Sequence, residues 1–318
     1  MQLSRERHPG RATVVITTKN RVEELRAAVA SAVAQSEPVE VLVIDDGSTD
    51  GTADMIRAEF PSVRLVRYES SCGLIVRRNQ GAALASTPIV VSIDDDAAFP
   101  SKNTVQQTLL EFDRPEVGAV AIPFINVNQN DTVHQRAPRD EHVYVARTFI
   151  GTAHAVRRDL FLALGGYREH LFHQGEESDY CIRMLDAGYI VRIGHADPIH
   201  HFESPRRDFR RIDLYGRRND ILFAWHNVPP PFFTLHLIAT TLNGIRAGIR
   251  ARRLARMSAG ILKGYRDLYG QFSKRRPVRA QAYRVYRSLP QGPLIPLSEI
   301  RDTIPPMIAL ENIRPVEQ

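Results

Sequence analysis

The segment Ile89-Val90-Val91-Ser92-Ile93, followed at once by Asp94-Asp95-Asp96, limits the possible folds more than any other stretch of the chain. An apolar run that is β-branched at four of five positions reads as a strand buried on both faces of a parallel sheet. Three carboxylates at its end cannot share that burial. They must emerge at the carboxyl edge of the sheet, where open α/β sheets bind ligands. Adjacent acids repel one another, and a hard divalent cation with oxygen ligands relieves the repulsion. A solvated acidic turn is the alternative, and the neighbouring segments bear on the choice.

Those segments repeat one pattern. Strands are predicted over 13–18, 39–44 and 63–68, and helices over 22–35, 52–60 and 74–86, each helix following a strand. The alternation of short apolar runs with helix-period segments of about a dozen residues predicts βαβ units and a doubly wound, mostly parallel sheet flanked by helices. A helix is then expected over 104–112, a strand over 117–122 and an extended pattern over 143–156. A helix over 176–187, closed by Gly188, leads to a strand over 189–193. Residues 123–141 lose periodicity and read as a long surface loop of the kind that is usually functional. The expected organisation is a tail over 1–12, a catalytic domain over 13–204 with halves meeting near residue 100, and a basic, largely helical region over 205–318.

That last region separates itself by charge. Between Arg246 and Arg287 there are 13 Lys or Arg against the single acid Asp267, so a net charge of +6 leaves the remainder at −6. Such asymmetry points to a polyanion, either an anionic membrane surface or nucleic acid. Pro229-Pro230-Pro231 reads as a linker or hinge. The apolar stretch 232–245 is too short to span a bilayer but suits the membrane interface, with arginines following it; an ordinary helix packed on the body fits equally well. Cys72 and Cys181 give neither a disulfide framework nor a metal cluster, and residues 1–11 lack a signal-peptide core, so a cytoplasmic protein is expected.

Polar clusters fall at the carboxyl ends of successive strands, at 17–21, 45–46 and 94–96, with Glu176-Glu177 at the start of a helix. In order, Val15 to Arg21, Val43 to Thr52, Arg78-Asn79-Gln80-Gly81, Asp94 to Asp96 and Gly175 to Arg183 resemble the family 2 glycosyltransferases of GT-A fold, over about two-thirds of the chain. The resemblance implies a nucleoside diphosphate sugar as donor and Mg²⁺ or Mn²⁺ as cofactor. It puts Thr17, Thr18, Asn20 and Arg21 beside the nucleoside and Asp45 or Asp46 on the base. Asp94 to Asp96 become the Asp-X-Asp element, with Asp94 and Asp95 toward the nucleotide and Asp94 and Asp96 toward the metal. His201 is the further candidate metal ligand, and Arg78 adds positive charge for the phosphates.

The acceptor hydroxyl must lose a proton as it attacks the anomeric carbon, so a carboxylate opposite the leaving diphosphate is required. Glu177, in the first turn of a helix whose dipole favours the ionised form, is the expected base. The commonest family pattern has Glu-Asp where this chain has Glu176-Glu177, so Glu176 stays open as the alternative. Asp179, one turn along, is expected to orient the acceptor or cap structure. A single base with direct displacement predicts inversion. The expected acceptor is a saccharide or lipid-linked hydroxyl, one sugar per binding event, and no nucleic acid. Two rivals are weighed. A nucleotidyltransferase is disfavoured because 17–23 contains no glycine. A nucleic-acid binder would use Tyr265, Tyr269, Phe272, Tyr283 and Tyr286 as stacking platforms.

Overall fold

The computed structural model describes residues 10–138, 141–203, 208–289 and 294–317. Most of the expected tail and Ser204, at the expected domain boundary, lie outside these. The first half runs as β1 (Ala12–Thr18), α1 (Val22–Val33), β2 (Val39–Asp45), α2 (Thr52–Glu59), β3 (Arg64–Arg67), α3 (Leu74–Leu84) and β4 (Ile89–Asp94), as the periodicity predicts. There follow β5 (Ala97–Ala98), α4 (Thr104–Leu110), β6 (Val117–Ala121), β7 (Phe124–Asn126), β8 (Val133–His134), β9 (Tyr144–Ala146), β10 (Ala153–Arg157), α5 (Arg158–Ala163), α6 (Glu176–Asp186), β11 (Ile190–Ile193) and β12 (Ile199–His201). The C-terminal region holds α7 (Phe209–Asn227), α8 (Pro230–Arg250), α9 (Leu254–Asp267), α10 (Ala280–Ser288), β13 (Ile295–Pro296) and α11 (Leu297–Ile300).

Nine strands form the central sheet in the order β13-β9-β11-β6-β10-β4-β1-β2-β3. The pairings leave β9 and β10 antiparallel to the other seven. β1 shows why both faces are covered. Its Ala12, Val14 and Ile16 pack in one cluster with Leu25, Ala28 and Val29 of α1, and Val15 packs in the other with Ile75 and Ala82 of α3. Alternate side chains point to opposite faces, so a continuous apolar run satisfies two helical layers. Gly81 lets α3 approach: a Cβ there would sit 2.5 Å from Val15 Cγ1.

Three expectations are corrected. The segment 123–141 is not simply a loop: β7 and β8 join β5 and β12 in a second sheet of order β5-β12-β7-β8. Its two strands are only three and two residues long, too short to leave a period in the sequence. Residues 139–140 of that segment lie outside the described ones. The extended pattern over 143–156 is two strands, β9 and β10, on separate parts of the sheet. Pro229-Pro230-Pro231 is no hinge but the start of α8, with Pro229 as N-cap. Proline suits the first helical turn, where its missing N–H has no partner to lose. Of the aromatics weighed for stacking on bases, Tyr283 and Tyr286 are buried in the core and Tyr265 meets the Thr241 hydroxyl at 2.7 Å. Among the described residues no helix is long and apolar enough to cross a membrane.

Candidate active site

β1, β2 and β4 end side by side, with Thr17 paired to Asp94 and Thr18 to Asp45. The small sheet then folds over the acids, because β5 directly follows Asp96 and pairs with β12, setting Ala97 opposite His201. Phe202 N–H donates to the Asp96 carbonyl at 2.8 Å. Two residues about a hundred positions apart are thus locked together by backbone pairing. One oxygen or nitrogen from each of Asp94, Asp96 and His201 falls within 4.8 Å of the others.

The tautomer of His201 matters here. Its Nδ1 lies 2.7 Å from Asn126 Oδ1, which only an Nδ1–H can satisfy. The Nε2 lone pair of the neutral ring then faces Asp96 Oδ1 at 3.3 Å. Two acceptors so placed need a proton or a cation between them, and two carboxylates plus an imidazole suit Mn²⁺ or Mg²⁺. Burial alone would raise the Asp96 carboxyl, but His201, when its Nε2 carries a proton, and Arg21 hold it below the usual carboxylate range. Arg21 reaches Asp96 at 2.7 Å and Asp95 at 3.1 Å. Asp95 also accepts from the Thr18 hydroxyl at 2.8 Å, yet burial pushes its carboxyl up to about 7.

Beside this cluster opens a cavity of about 570 Å³, lined by Thr17, Thr18, Arg21, Asp46, Asp94, Asp95, Asp96 and His201 among the expected residues. Such a volume suits a nucleotide-sized ligand. The expected Asn20, Asp45, Arg78, Glu176, Glu177 and Asp179 do not line it. Asn20, at φ +53, accepts from Thr49 N–H at 2.8 Å through its side chain and ties the β1 and β2 loops together. Asp45 is fully buried and caps the turn by accepting from Ser48 N–H at 2.8 Å. Gly47 gives that turn its φ of +80. Asp46 reaches the cavity wall but is engaged by the Ser71 hydroxyl, the Cys72 and Gly73 N–H groups and Arg77.

Arg78 faces inward. Its guanidinium donates to Asp94 at 2.6 Å and to the Gly151 carbonyl at 3.0 Å, and lies 3.5 Å from Glu176. Burial would lower its pKa, but Asp94 and Glu176 outweigh that and keep it charged. Burial raises both Glu176 and Glu177, and each is opposed by Arg78. Glu176 is 3% exposed and one of its oxygens has no hydrogen-bond partner among the described residues, whereas Glu177 is only half-buried. Asp179 belongs to a buried network with Arg168 at 3.1 Å, Arg183 at 3.0 Å and Asn227 at 2.8 Å, which holds it well below the usual carboxylate range despite its burial.

The sequence reading missed several lining residues: Lys19, Ser71, Arg77, His173, Gln174, Glu203, Asp208 and Arg211. Most come from loops without period. A usable signal was Arg217-Arg218-Asn219, whose role is indirect. The Asn219 amide donates to the carbonyls of Leu171, His173 and Gln174, fixing a loop in which Phe172 and Gln174 both have positive φ.

Residues 13–167 match the model described as Glycosyl transferase family 2. Residues 13–167 are therefore a domain of glycosyltransferase family 2. Curated family relatives include the succinoglycan biosynthesis protein ExoU of Rhizobium meliloti, 32% identical over 59% of this chain and 60% of its own. Another is the O-antigen chain rhamnosyltransferase WbaN of Salmonella anatum, 29% identical over 55% and 61%. The chain thus spans about three-fifths of the length of these relatives. Among solved structures, the mannosyltransferase PcManGT of Pyrobaculum calidifontis, in complex with GDP-Man and Mn²⁺, covers 82% of this chain and 88% of its own at TM-score 0.56 and 20% identity. The S. aureus TarS complex with UDP-GlcNAc covers 78% of both chains at TM-score 0.58 and 15% identity. These likenesses bear out the GT-A fold.

Proposed function

We propose that this protein is a metal-dependent, inverting glycosyltransferase that moves a sugar from a nucleoside diphosphate donor to a hydroxyl of a saccharide or lipid-linked acceptor in surface polysaccharide synthesis. The observation that carries the reading is the Asp94, Asp96 and His201 group at the cavity edge, with the His201 lone pair aimed by Asn126. A bound Mg²⁺ or Mn²⁺ would neutralise charge developing on the leaving diphosphate. The chain's own residues do the rest. Asp94, Asp96 and His201 are the ligands, and Arg21, shared between Asp95 and Asp96, keeps the acidic cluster tolerable until the donor arrives. Thr17, Thr18 and Lys19 flank the nucleoside, and Arg211 adds positive charge to the cavity lining.

Glu177 is the base in this reading. The residue is more exposed than Glu176, and Arg78 opposes the rise that burial imposes on its carboxyl. Glu176 and Asp94 share Arg78, so they brace the catalytic wall. Attack from one face with the diphosphate leaving from the other inverts the anomeric carbon. The names of ExoU and WbaN support a polysaccharide product. The structural neighbours carry different nucleotides, GDP-Man and UDP-GlcNAc, so the donor is open between them. A lipid-linked acceptor would also bring the protein to the cytoplasmic face of an anionic membrane, the partner expected from its basic C-terminal region.

The test is calorimetric titration with UDP, GDP and dTDP, each with and without Mn²⁺. Metal-dependent binding of one nucleotide, lost in Asp96→Ala, is expected. Binding that ignores Mn²⁺, or that survives Asp96→Ala, would overturn the metal assignment.

A further inference from the structure

Helices α7 to α10 form a layer whose outer surface the transfer chemistry does not use. Residues 229–266 contain no Asp or Glu and seven Lys or Arg. On α8, Leu235, Ile238, Leu242 and Ile249 are 73%, 52%, 48% and 60% exposed. Their spacing of three, four and seven places them on one face of the helix. The opposite face is seated: Gly244 and Gly248 are buried, and a Cβ on Gly244 would lie 3.0 Å from Ile261 of α9. The exposed row therefore belongs to a packed helix and is not a loose end. Beside it Arg246, Arg250, Arg252 and Arg256 are exposed and pair with no carboxylate among the described residues, unlike Arg253, which meets Asp213 at 3.2 Å.

A second cavity, of about 330 Å³, opens at the N-terminal end of that row and shares Leu235 with it. Its polar groups are His236, Thr240, Asn243, Tyr283 and Arg287, and no acid lines it. The Tyr283 hydroxyl meets His236 Nδ1 at 2.8 Å, and the Tyr283 ring stacks on Phe232 at 4.9 Å, so the floor is fixed. Arg287 is exposed at the rim and has no carboxylate partner among the described residues. A cavity with a free cation, hydrogen-bonding groups and no acid is built for an anion.

We propose that this face docks on an anionic lipid bilayer, with Leu235, Ile238 and Leu242 in the interface and a lipid phosphate held at Arg287. Two observations favour the bilayer over a second copy of the chain and over free phosphate. Self-association would press unpaired arginines together with no acid to meet them, and free phosphate would leave the apolar row uncovered. The inference deepens the membrane part of the proposed function and rests on it only there. Its consequence is positional. α7 lines the catalytic cavity with its N-cap Asp208 and with Arg211 and Ile212, and two residues further along its Leu214 carbonyl would lie 2.5 Å from a Cβ on Gly260 of α9. The docking layer and the cavity wall therefore share a helix, and a tethered enzyme would meet lipid-linked acceptors at a fixed height.

The experiment is co-sedimentation of the full chain with vesicles of phosphatidylcholine alone and of phosphatidylcholine with phosphatidylglycerol, with UDP and Mn²⁺ binding measured on the same samples. Binding to the anionic vesicles should exceed that to neutral ones by about tenfold or more. The double variant Ile238→Glu/Leu242→Glu should lose about tenfold or more, since two exposed apolar contacts become acids. Ile238→Ser, a milder change, should lose less, and Arg287→Gln about fivefold. All three should bind nucleotide as the parent does. Inorganic phosphate should weaken binding of the parent toward the level of Arg287→Gln and leave that variant unchanged. Equal binding to both vesicle types, or parental binding by the double variant, would overturn the proposal. So would a protein that dimerises through this face and ignores vesicles. Failure of vesicle binding with nucleotide binding intact would leave the transferase reading standing.

Discussion

Removing the Asn126 side chain tests whether a residue that never touches the substrate sets the metal affinity. Asn126 Oδ1 accepts from His201 Nδ1 at 2.7 Å, and this bond alone fixes which ring nitrogen presents a lone pair to Asp96. In Asn126→Ala the proton is free to move to Nε2, where it would donate to Asp96 Oδ1, now 3.3 Å away, and block the ligand position. Loss of such an outer partner typically costs about 10- to 100-fold in metal affinity. At about 1.4 kcal/mol per factor of ten, that is roughly 1.4 to 2.7 kcal/mol. The assay is calorimetric titration of Mn²⁺ into protein saturated with the preferred nucleotide. Asn126 is half-buried on a three-residue strand, so the urea midpoint should hold to about 0.5 kcal/mol. Metal affinity unchanged in Asn126→Ala but lost in His201→Ala would refute the reasoning, because β5–β12 pairing alone would then position the ring.

Three further outcomes are expected. Glu177→Gln should leave nucleotide binding near normal and lower turnover by about 10²- to 10⁴-fold, with a smaller loss for Glu176→Gln; the reverse ranking, measured by product formation, would make Glu176 the base. Glu111 does not line the cavity, and burial, opposed by its hydrogen bond from His195 N–H and by Arg192, pushes its carboxyl up to about 7. The folded state therefore binds this proton more tightly than the unfolded chain. Its contribution is present in full below the ordinary carboxylate range and is lost as pH rises through 7, by up to about 3 kcal/mol. Glu111→Gln should flatten the fall in urea stability between pH 5 and 8, and an unchanged slope would refute the assignment. Gly81→Ala should destabilise by about 1 to 3 kcal/mol in urea unfolding, because its Cβ would meet Val15 Cγ1 at 2.5 Å; an unchanged midpoint would mean that α3 shifts freely on the sheet.

The parallel half of the fold and the acids at its edge are legible in the order of residues alone. β1, β2 and β4 bury nearly every residue, and a strand buried on both faces can only be written as a continuous apolar run, which is legible without neighbours. Polar residues ending such runs must surface at the carboxyl edge, so Asp94 to Asp96 and Thr17 were readable as a cluster. Tertiary structure decided the rest. Strands of two and three residues carry no period, so the small sheet that sets His201 against Asp96 was invisible, and with it Asn126. Adjacent identical residue types were equally undecidable. Arg77 and Arg78 differ by one helical step, which sends the first to Asp46 at the cavity wall and the second inward to Asp94 and Glu176. Asp45 and Asp46 part in the same way, one capping its own turn and the other ordering the loop ahead of α3. Local sequence states which groups must leave the core, and only the packed chain decides which partner each of them meets, because those partners come from elements far apart in sequence.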